Sequence, residues 1–370
     1  MTNSSPLNIQ SGLEQLAMQA WGLSTPNPAV ACIITDENLN ILGQGHTQKA
    51  GGPHAEVMAL RDAASRGQSV AGATVYVTLE PCSHHGRTPP CCDALIAAGV
   101  KKVVVSLQDP NPLVAGQGIA RLRAAGIEVD VGPGAAASRE LNIGFFSRMI
   151  RKTPWVRMKV AASLDGKTAL MDGQSQWITG EAARADGHAW RARASAVLTG
   201  IGTVREDKPR LDVRLVPTQR QPDVVVVDSR LETPLDAPLL MAGRACYIYA
   251  AQPDAGRKAA LEARGATVID MPAANGKVDL AAMLRDLAER EFNELHVEAG
   301  HKLNGSLIRE GLVDELLLYL APKLLGSAQG MASFGPLQQL SEAIALEFLS
   351  ADRVGADLRV RARVAGRDRF

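Results

Sequence analysis

The chain has 370 residues, of which 46% are hydrophobic and 4% are aromatic, and its 40 basic residues nearly balance its 39 acidic ones. This length favours two domains, each with a core of small aliphatic side chains. The net charge of +1 argues against an extended nucleic-acid interface, which usually carries a basic patch, but it allows a local basic pocket.

The N-terminal residues and the cysteines indicate a cytoplasmic protein. No basic segment followed by an apolar one opens the chain, and no run is long enough to span a bilayer, so we expect neither a secretory signal nor a membrane contact. Five cysteines are few and odd in number for a disulfide framework, and Cys82, Cys91 and Cys92 cluster in one motif. This pattern suits a reducing compartment.

In the first part of the chain, apolar runs typical of strands alternate with helix-like stretches. We predict strands at residues 29–34, 74–79, 102–107 and 127–131, and helices at residues 55–65, 93–98, 118–125 and 135–149. Strands separated by helices of this length imply a mostly parallel sheet covered on both faces. The sequence therefore predicts an α/β domain over residues 1–150.

A second α/β domain is predicted over residues 151–370, because Pro154 interrupts the helical pattern and a new apolar strand starts at Trp155. Its predicted strands lie near residues 196–199, 223–227, 245–249, 267–269, 294–297 and 315–320, with two more between 343 and 364. Its predicted helices lie at residues 181–193, 256–264, 280–291 and 303–310.

A histidine and two cysteines of the first domain have the composition of a catalytic zinc site. His54 lies just before a predicted helix, and Cys82 and Cys91 follow the second predicted strand. Three protein ligands leave the fourth zinc position open for water. Glu56 is close enough to His54 in sequence to transfer protons at that water without being a ligand. His-x-Glu paired with Pro-Cys is typical of zinc deaminases that act on nucleobases.

Neighbouring residues leave alternatives open for this site. Cys92 adjoins Cys91 and competes for its ligand position, although the two side chains cannot easily reach the same metal. His84 and His85 are further possible ligands, which we interpret as loop residues that shape the substrate pocket. Eight residues separate Cys82 from Cys91, whereas the common deaminase motif has two.

The first domain resembles the deaminase domain of the bifunctional riboflavin-biosynthesis deaminase/reductase family. The resemblance is carried by residues 27–28, 51–57, 78–91, which include the long cysteine spacing, and 109–112. Two positions depart from the family pattern, since Ala31 stands where a glycine is usual and Thr47 where a histidine is usual.

This resemblance implies a cytidine-deaminase-like three-layer fold. It also implies zinc on His54, Cys82 and Cys91, with Glu56 as the proton carrier.

Residues 161–167, 175–179, 202–214 and 297–300 resemble the reductase domain of the same family, so the resemblance covers nearly the whole chain in the right order. It implies a dihydrofolate-reductase-like fold that uses NADPH. The residues assigned in this way to NADPH are Ala161, Trp177, Thr203, Asp207, Gly300, His301, Lys302, Leu303, Asn304, Gly305 and Ser306. Those assigned to the phosphorylated sugar substrate are Ser175, Arg191, Leu211, Arg214 and Glu298.

The reductase assignments add to a weak signal from the residues themselves. Arg191 and Arg214 offer the forked donors that suit a phosphate, although without the resemblance we would interpret both as solvated charges. Lys159 on the opening strand is a further candidate. The general acid of the reductive step stays open between Asp207 and Glu298. No Gly-x-Gly-x-x-Gly follows a strand in residues 154–370, so a Rossmann site is not indicated.

The resulting hypothesis is a bifunctional enzyme of riboflavin biosynthesis. The first domain would deaminate 2,5-diamino-6-(5-phosphoribosylamino)pyrimidin-4(3H)-one, and the second would reduce the ribosyl group to ribityl with NADPH. We expect no nucleic-acid partner, and the family resemblance implies a homo-oligomer formed through the reductase domain. One alternative is an RNA or DNA deaminase, which the net charge and cysteine spacing disfavour. The other is a degenerate scaffold, which the intact motifs disfavour.

Overall fold

The computed structural model describes residues 6–84, 89–112, 114–241 and 243–370. The chain divides into two compact units, a first unit that ends at Arg151 and a second unit that begins at Lys152. Each unit has a sheet and buried apolar clusters of its own. None of the helices within the described ranges has the length and apolar content that a bilayer crossing requires.

The first unit alternates strands and helices, as its apolar pattern predicts. In chain order its elements are α1 (Pro6–Met18), β1 (Ala31–Thr35), β2 (Ile41–His46), α2 (Ala55–Ser65), β3 (Thr74–Val77), α3 (Cys91–Ala97), β4 (Lys102–Val105), α4 (Gln117–Ala124), β5 (Glu128–Val131), α5 (Ala135–Leu141) and α6 (Ile143–Arg151). Elements α1 and β2 were not predicted. The helix predicted at residues 135–149 is divided at Asn142, whose side chain accepts from Ala29 N (2.7 Å) and donates to Ala29 O (2.9 Å).

In the described part of the first unit, five strands form one sheet in the order β2-β1-β3-β4-β5. Strand β1 is antiparallel to both of its neighbours, whereas β3, β4 and β5 are parallel. Helices α1 and α5 cover one face through an apolar cluster that includes Leu13, Ile33 and Leu141. Because α2 covers the other face, the unit has the three-layer arrangement that the resemblance implies.

The close approach of α2 to β2 explains why glycines occur in this strand. Gly45 pairs with Cys32, which points away from the α1 side of the sheet. A Cβ atom at Gly45 would lie 2.6 Å from the backbone nitrogen of Ala59 on α2, and Gly43 also faces the backbone of Ala59. The two glycines therefore allow helix and sheet to touch, although they weaken the strand pattern in the sequence.

The second unit contains the strands and helices predicted for it, together with four short elements that were not predicted: β7, α8, β14 and a 3-10 helix at Leu340–Glu342. In chain order its elements are β6 (Trp155–Ser163), β7 (Lys167–Ala169), α7 (Glu181–Arg193), β8 (Ala196–Gly200), α8 (Ile201–Asp207), β9 (Asp223–Val227), β10 (Cys246–Ala250), α9 (Ala255–Glu262), β11 (Ala266–Asp270), α10 (Leu280–Glu289), β12 (Glu294–Val297), α11 (His301–Arg309), β13 (Glu315–Ala321), β14 (Gln329–Gly330), β15 (Leu346–Val354) and β16 (Asp357–Val364).

The main sheet of the second unit has nine strands among the described residues, in the order β11-β10-β9-β8-β12-β6-β13-β16-β15. The first seven strands in this order, from β11 through β6 to β13, are parallel to one another. Strand β16 pairs antiparallel with both β13 and β15. The carboxyl ends of adjacent parallel strands lie at the same edge of a sheet. The turns that follow β8 and β12 therefore lie side by side, where open α/β sheets bind ligands.

A buried ion-pair network lies on the sheet near α7. Arg157 on β6 is 1% exposed, and it donates to Glu294 on β12 (2.6 Å) and to Glu315 on β13 (3.0 Å). Its guanidinium also lies 4.5 Å from the ring centre of Trp190 on α7. Burial alone would raise the pKa of Glu294, but Arg193 and Arg157 lower it below its ordinary range. Against the effect of burial, Arg157 and Arg361 likewise lower the pKa of Glu315, so both carboxylates are ionised in the interior.

Arg157→Met should lower the free energy of unfolding of the second unit by about 3 kcal/mol, the lower end of the range for breaking a buried ion pair, because the two buried carboxylates lose their shared partner while their contacts with Arg193 and Arg361 remain. Arg205 pairs with Glu232 at the surface. Arg205→Met is therefore a matched control, which should change stability by at most about 1 kcal/mol. Urea unfolding, monitored by tryptophan fluorescence, measures the free energy of unfolding of both variants. Equal losses of stability would contradict the claim that the buried ion pairs stabilise the unit more than the surface pair does.

Candidate functional site

Three side chains from separate segments of the first unit converge. His54 is the N-cap of α2, Cys82 follows β3, and Cys91 is the first residue of α3. Their possible ligand atoms all lie within 4.8 Å of one another. Nδ1 of His54 lies 3.4 Å from Sγ of Cys91 and 3.6 Å from Sγ of Cys82. The structure thus brings together the three residues that the sequence predicts as ligands.

The geometry and chemistry of this cluster fit a zinc ion. With bond lengths of about 2.1 Å to nitrogen and 2.3 Å to sulfur, a tetrahedral zinc ion holds these two ligand atoms about 3.6 Å apart. A hydrogen bond from Cys91, together with His54, lowers the pKa of Cys82 to about 4. The backbone N–H of Cys91 also points to Sγ of Cys82 at 3.4 Å. This sulfur is therefore prepared for the thiolate form that binds metals.

Glu56 lies in the first turn of α2, and it is 3% exposed. Burial, together with neighbouring Cys82, raises the pKa of Glu56 to about 7, whereas His54 opposes the rise. The carboxyl group thus lies against the cluster and away from bulk solvent. This position matches the one expected for a group that carries protons at the metal site.

The structure favours Cys91 over its neighbour as the third ligand. Sγ of Cys92 donates to the carbonyl oxygen of Pro81 at 3.2 Å and lies 3.6 Å from the carbonyl oxygen of Gly118. These contacts direct Sγ of Cys92 to backbone carbonyl groups, whereas Sγ of Cys91 lies with the ligand atoms of His54 and Cys82. His84 is exposed, and His85 lies outside the described residues.

The sequence analysis missed Glu80, which organises the neighbourhood of Cys82. Its buried carboxylate accepts four backbone hydrogen bonds of 2.9–3.1 Å, from Asp109, Gly116, Gly118 and Ile119. These bonds attach the start of α4 and the preceding segment to the chain just before Cys82. A charged residue directly after an apolar strand was the available signal, because such a charge must find partners if it is buried.

Cys91→Ala should reduce the zinc content of the purified protein from about one ion per chain to nearly none, because a structural or catalytic site needs its ligand set. Cys92→Ala removes the adjacent thiol and should retain the zinc. Elemental analysis of the two purified variants gives the comparison. Loss of zinc in Cys92→Ala with retention in Cys91→Ala would reverse the assignment of the ligand.

In the second unit, charged side chains gather around Glu298, the residue after β12. Arg191 on α7 donates from Nε to Oε1 of Glu298 and from Nη2 to Oε2, and Lys159 Nζ lies 3.9 Å from Oε2. Burial alone would raise the pKa of Glu298, but Arg191 and Lys159 lower it well below its ordinary value. Arg214 donates to Asp212 (2.5 Å), whose carbonyl oxygen accepts from Arg191 (2.9 Å). The structure thus links Arg214 to Arg191 through Asp212, and Arg191 directly to Glu298.

The other predicted substrate residues are arranged differently. Leu211 is buried and has a φ of 53°, a left-handed conformation that is unusual for leucine. Ser175 lies in the segment between β7 and α7. Within the described part of the chain, no hydrogen bond joins Ser175 to Arg191, Arg214 or Glu298.

The residues predicted to hold the cofactor lie mainly on the turns after β8 and β12, and Ala161 lies on the nearby strand β6. Thr203 and Asp207 are on α8, and Gly300 is the N-cap of α11. A Cβ atom at Gly300 would lie 3.7 Å from Oγ1 of Thr203, and one at Gly200 would lie 3.1 Å from Leu303. The two glycine turns are therefore neighbours, as a shared nucleotide site requires.

Three further positions in the predicted cofactor set have distinct environments. Trp177 is 61% exposed and stacks on Arg184, with 4.6 Å from the guanidinium carbon to the ring centre. Asn304 is buried, and its amide donates to the carbonyl oxygens of Ala299 and Met331. Gly305 packs against the backbone of Ser333. Asn304 and Gly305 thus stabilise the turn. His301, Lys302 and Ser306 complete the start of α11.

Comparisons with known proteins identify the family of both units. The family model for the cytidine and deoxycytidylate deaminase zinc-binding region matches residues 10–107, and the model for the RibD C-terminal domain matches residues 154–360. The riboflavin biosynthesis protein RibD of Escherichia coli (strain K12) is 44% identical, over 93% of this chain and 95% of that protein. This chain belongs to the RibD family. The RibD protein of Aquifex aeolicus (strain VF5) is 41% identical, over 93% of this chain and 94% of its own.

Solved structures of RibD proteins have the same fold as this chain. RibD of Acinetobacter baumannii (form 1) is 39% identical with a TM-score of 0.86, over 96% of this chain and 97% of that chain. A Thermotoga maritima protein is 30% identical with a TM-score of 0.83, over the same shares. It is described as a diaminohydroxyphosphoribosylaminopyrimidine deaminase/5-amino-6-(5-phosphoribosylamino)uracil reductase.

Membership of the RibD family confirms the predicted family, fold class and activity class. The chain is a bifunctional deaminase and reductase of riboflavin biosynthesis, with a zinc-binding deaminase region and a reductase domain. The reductase domain implies a nicotinamide cofactor. The alternative of a degenerate scaffold is therefore wrong.

Proposed function

We propose that the two units act in sequence on one phosphorylated pyrimidine. The first unit deaminates 2,5-diamino-6-(5-phosphoribosylamino)pyrimidin-4(3H)-one, and the second reduces the ribosyl group of the product to ribityl with NADPH. The observation that carries this proposal is the convergence of His54, Cys82 and Cys91 beside buried Glu56. The substrates named for the Thermotoga maritima relative support the choice of compound.

In the deaminase step, His54, Cys82 and Cys91 hold the metal. When bound, zinc supplies a water molecule whose pKa is lowered to about 7. Glu56 accepts a proton from the water that attacks C2 of the pyrimidine. It then delivers a proton to the departing amino group, which leaves as ammonia. The burial of Glu56 keeps bulk water from competing for these protons.

In the reductase step, Arg191 and Arg214 bind the substrate phosphate, and Ser175, Leu211 and Glu298 complete that site. The charge of the cluster supports this assignment, because four cations less two carboxylates leave a surplus of two positive charges. The four cations are Lys159, Arg191, Arg210 and Arg214. The two carboxylates are Asp212 and Glu298. A phosphate monoester carries a charge of about −1.5 to −2 at neutral pH, which matches this surplus.

The neighbouring glycine turns hold NADPH in this proposal, together with Ala161, Trp177, Thr203 and Asp207. When bound, NADPH supplies the hydride, and the protein orients the two reacting carbons. Burial raises the pKa of Asp207, whereas Glu298 stays ionised against Arg191. Of these two carboxyl groups, Asp207 is therefore better suited to donate a proton.

A cytoplasmic location and a homo-oligomer formed through the second unit are also parts of this proposal. Strand β15 lies at the edge of the nine-stranded sheet described above. Its Phe348 is 78% exposed and its Leu346 is 40% exposed. An exposed edge strand with apolar side chains is suited to association with another chain.

Glu56→Gln should retain about one zinc ion per chain. It should release ammonia at least about 100-fold more slowly, because general acid–base catalysis contributes roughly 10²–10⁴ to such rates. Glu37 is exposed on the same unit, so Glu37→Gln is the matched control and should behave as the wild type. Reduction of the deaminated compound should be unchanged in both variants. Deamination that survives in Glu56→Gln would remove this residue from the mechanism.

A further inference from the structure

We infer that His188 is a positioning residue of the reductase site, where its imidazole holds the backbone of Arg214 beside Arg191 in the arrangement that binds substrate phosphate. This inference rests on the proposed assignment of that phosphate to the two arginines. Sequence reasoning gave no role to His188.

The imidazole lies between the two residues. His188 is on α7, one helical turn before Arg191, and it is 4% exposed. Its Nδ1 accepts a hydrogen bond from the backbone N–H of Arg214 at 3.1 Å. Its Nε2 lies 3.3 Å from Nη1 of Arg191, and Nη1 in turn donates to the carbonyl oxygen of Asp212 at 2.9 Å. The ring therefore joins α7 to the segment 210–214.

The charge state of the ring suits its bond to the backbone of Arg214. Burial, followed by the charges of Arg191 and Arg214, lowers the pKa of His188 to about 4, while Glu298 and Asp212 partly oppose this. The ring is therefore neutral at pH 7, with a lone pair on Nδ1 that accepts from Arg214 and its proton on Nε2. The approach of Nε2 to Nη1 of Arg191 is thus a packing contact between two donors and not a hydrogen bond. Because the folded pKa is depressed, the contact is intact above pH 6.5 and is lost as the pH falls toward 4.

Side chains from other segments, rather than pairing within a sheet, hold the backbone of segment 210–214. Leu211 has a φ of 53° and therefore does not continue a regular strand. Arg244 donates to the carbonyl oxygen of Leu211 at 2.7 Å, and the amide of Gln221 bonds to both the N–H and the C=O of Val213 at 2.7 and 2.9 Å. His188 holds the next residue, Arg214, and of these three supporting side chains it is the one beside Arg191.

Two substitutions separate positioning from packing. His188→Asn retains an acceptor near the place of Nδ1 but loses volume, whereas His188→Leu retains apolar volume but has no acceptor. If His188 positions Arg214, the leucine variant should raise the KM for the deaminated phosphoribosyl substrate about tenfold, the effect of one buried hydrogen bond. The asparagine variant should stay within about threefold of wild type, and kcat and the KM for NADPH should change little in both.

A KM that rises more in His188→Asn than in His188→Leu would overturn the inference, since a residue that only packs should tolerate leucine better than asparagine. Deaminase activity in the first unit and circular dichroism report whether each full-length variant is folded. If His188→Leu does not fold, His188→Asn decides alone. A KM near that of wild type supports positioning, and a tenfold rise refutes it.

A binding measurement distinguishes failure of this inference from failure of the proposed function. Calorimetric titration of each full-length protein with ribose 5-phosphate should show weaker binding for His188→Leu than for His188→Asn. A wild-type protein that does not bind ribose 5-phosphate would refute the phosphate assignment, and the inference with it. Wild-type binding that both variants retain equally would refute the role of His188 alone.

Discussion

A carboxylate buried near the end of a central strand must be surrounded by hydrogen-bond donors, and each unit organises its candidate site around one such group. In the first unit, Glu80 follows β3 and accepts four backbone N–H groups from residues 109–119. In the second unit, Glu298 follows β12 and is met by Arg191 and Lys159. The donors come from segments that are distant in sequence. The interaction that satisfies each charge therefore also brings the site residues together.

The two carboxylates differ in what their donors are free to do. Backbone N–H groups are fixed in place, so Glu80 provides a firm frame beside Cys82, which suits a metal site whose ligand atoms lie within 4.8 Å. Arginine side chains can exchange one anion for another. In the proposed function, Glu298 and Asp212 therefore hold Arg191 and Arg214 in place until a phosphate arrives, and they leave the cluster with a cationic surplus.

The sequence predicted what is local and missed what depends on distant partners. His54, Cys82 and Cys91 could be found because rare residue types occur at a characteristic spacing and match the family motif. The residues alone left Cys92 as an alternative, and the side-chain directions favour Cys91. His188 carries no local mark of its bond to the backbone 26 residues later. The break between α5 and α6 depends on a pairing of Asn142 with Ala29 across 113 residues. Strand β2 was missed because its glycines, which its contact with α2 requires, resemble a loop.

The most direct test of two sites acting in sequence is NADPH oxidation by the purified full-length protein, given only the un-deaminated pyrimidine phosphoribosylamine. We expect oxidation that stops when a chelator removes zinc and resumes when the deaminated compound is added to the same zinc-free protein. Oxidation of NADPH that continues without zinc would contradict the role of the metal in the first step. No oxidation even with the deaminated compound would contradict the assignment of the second unit.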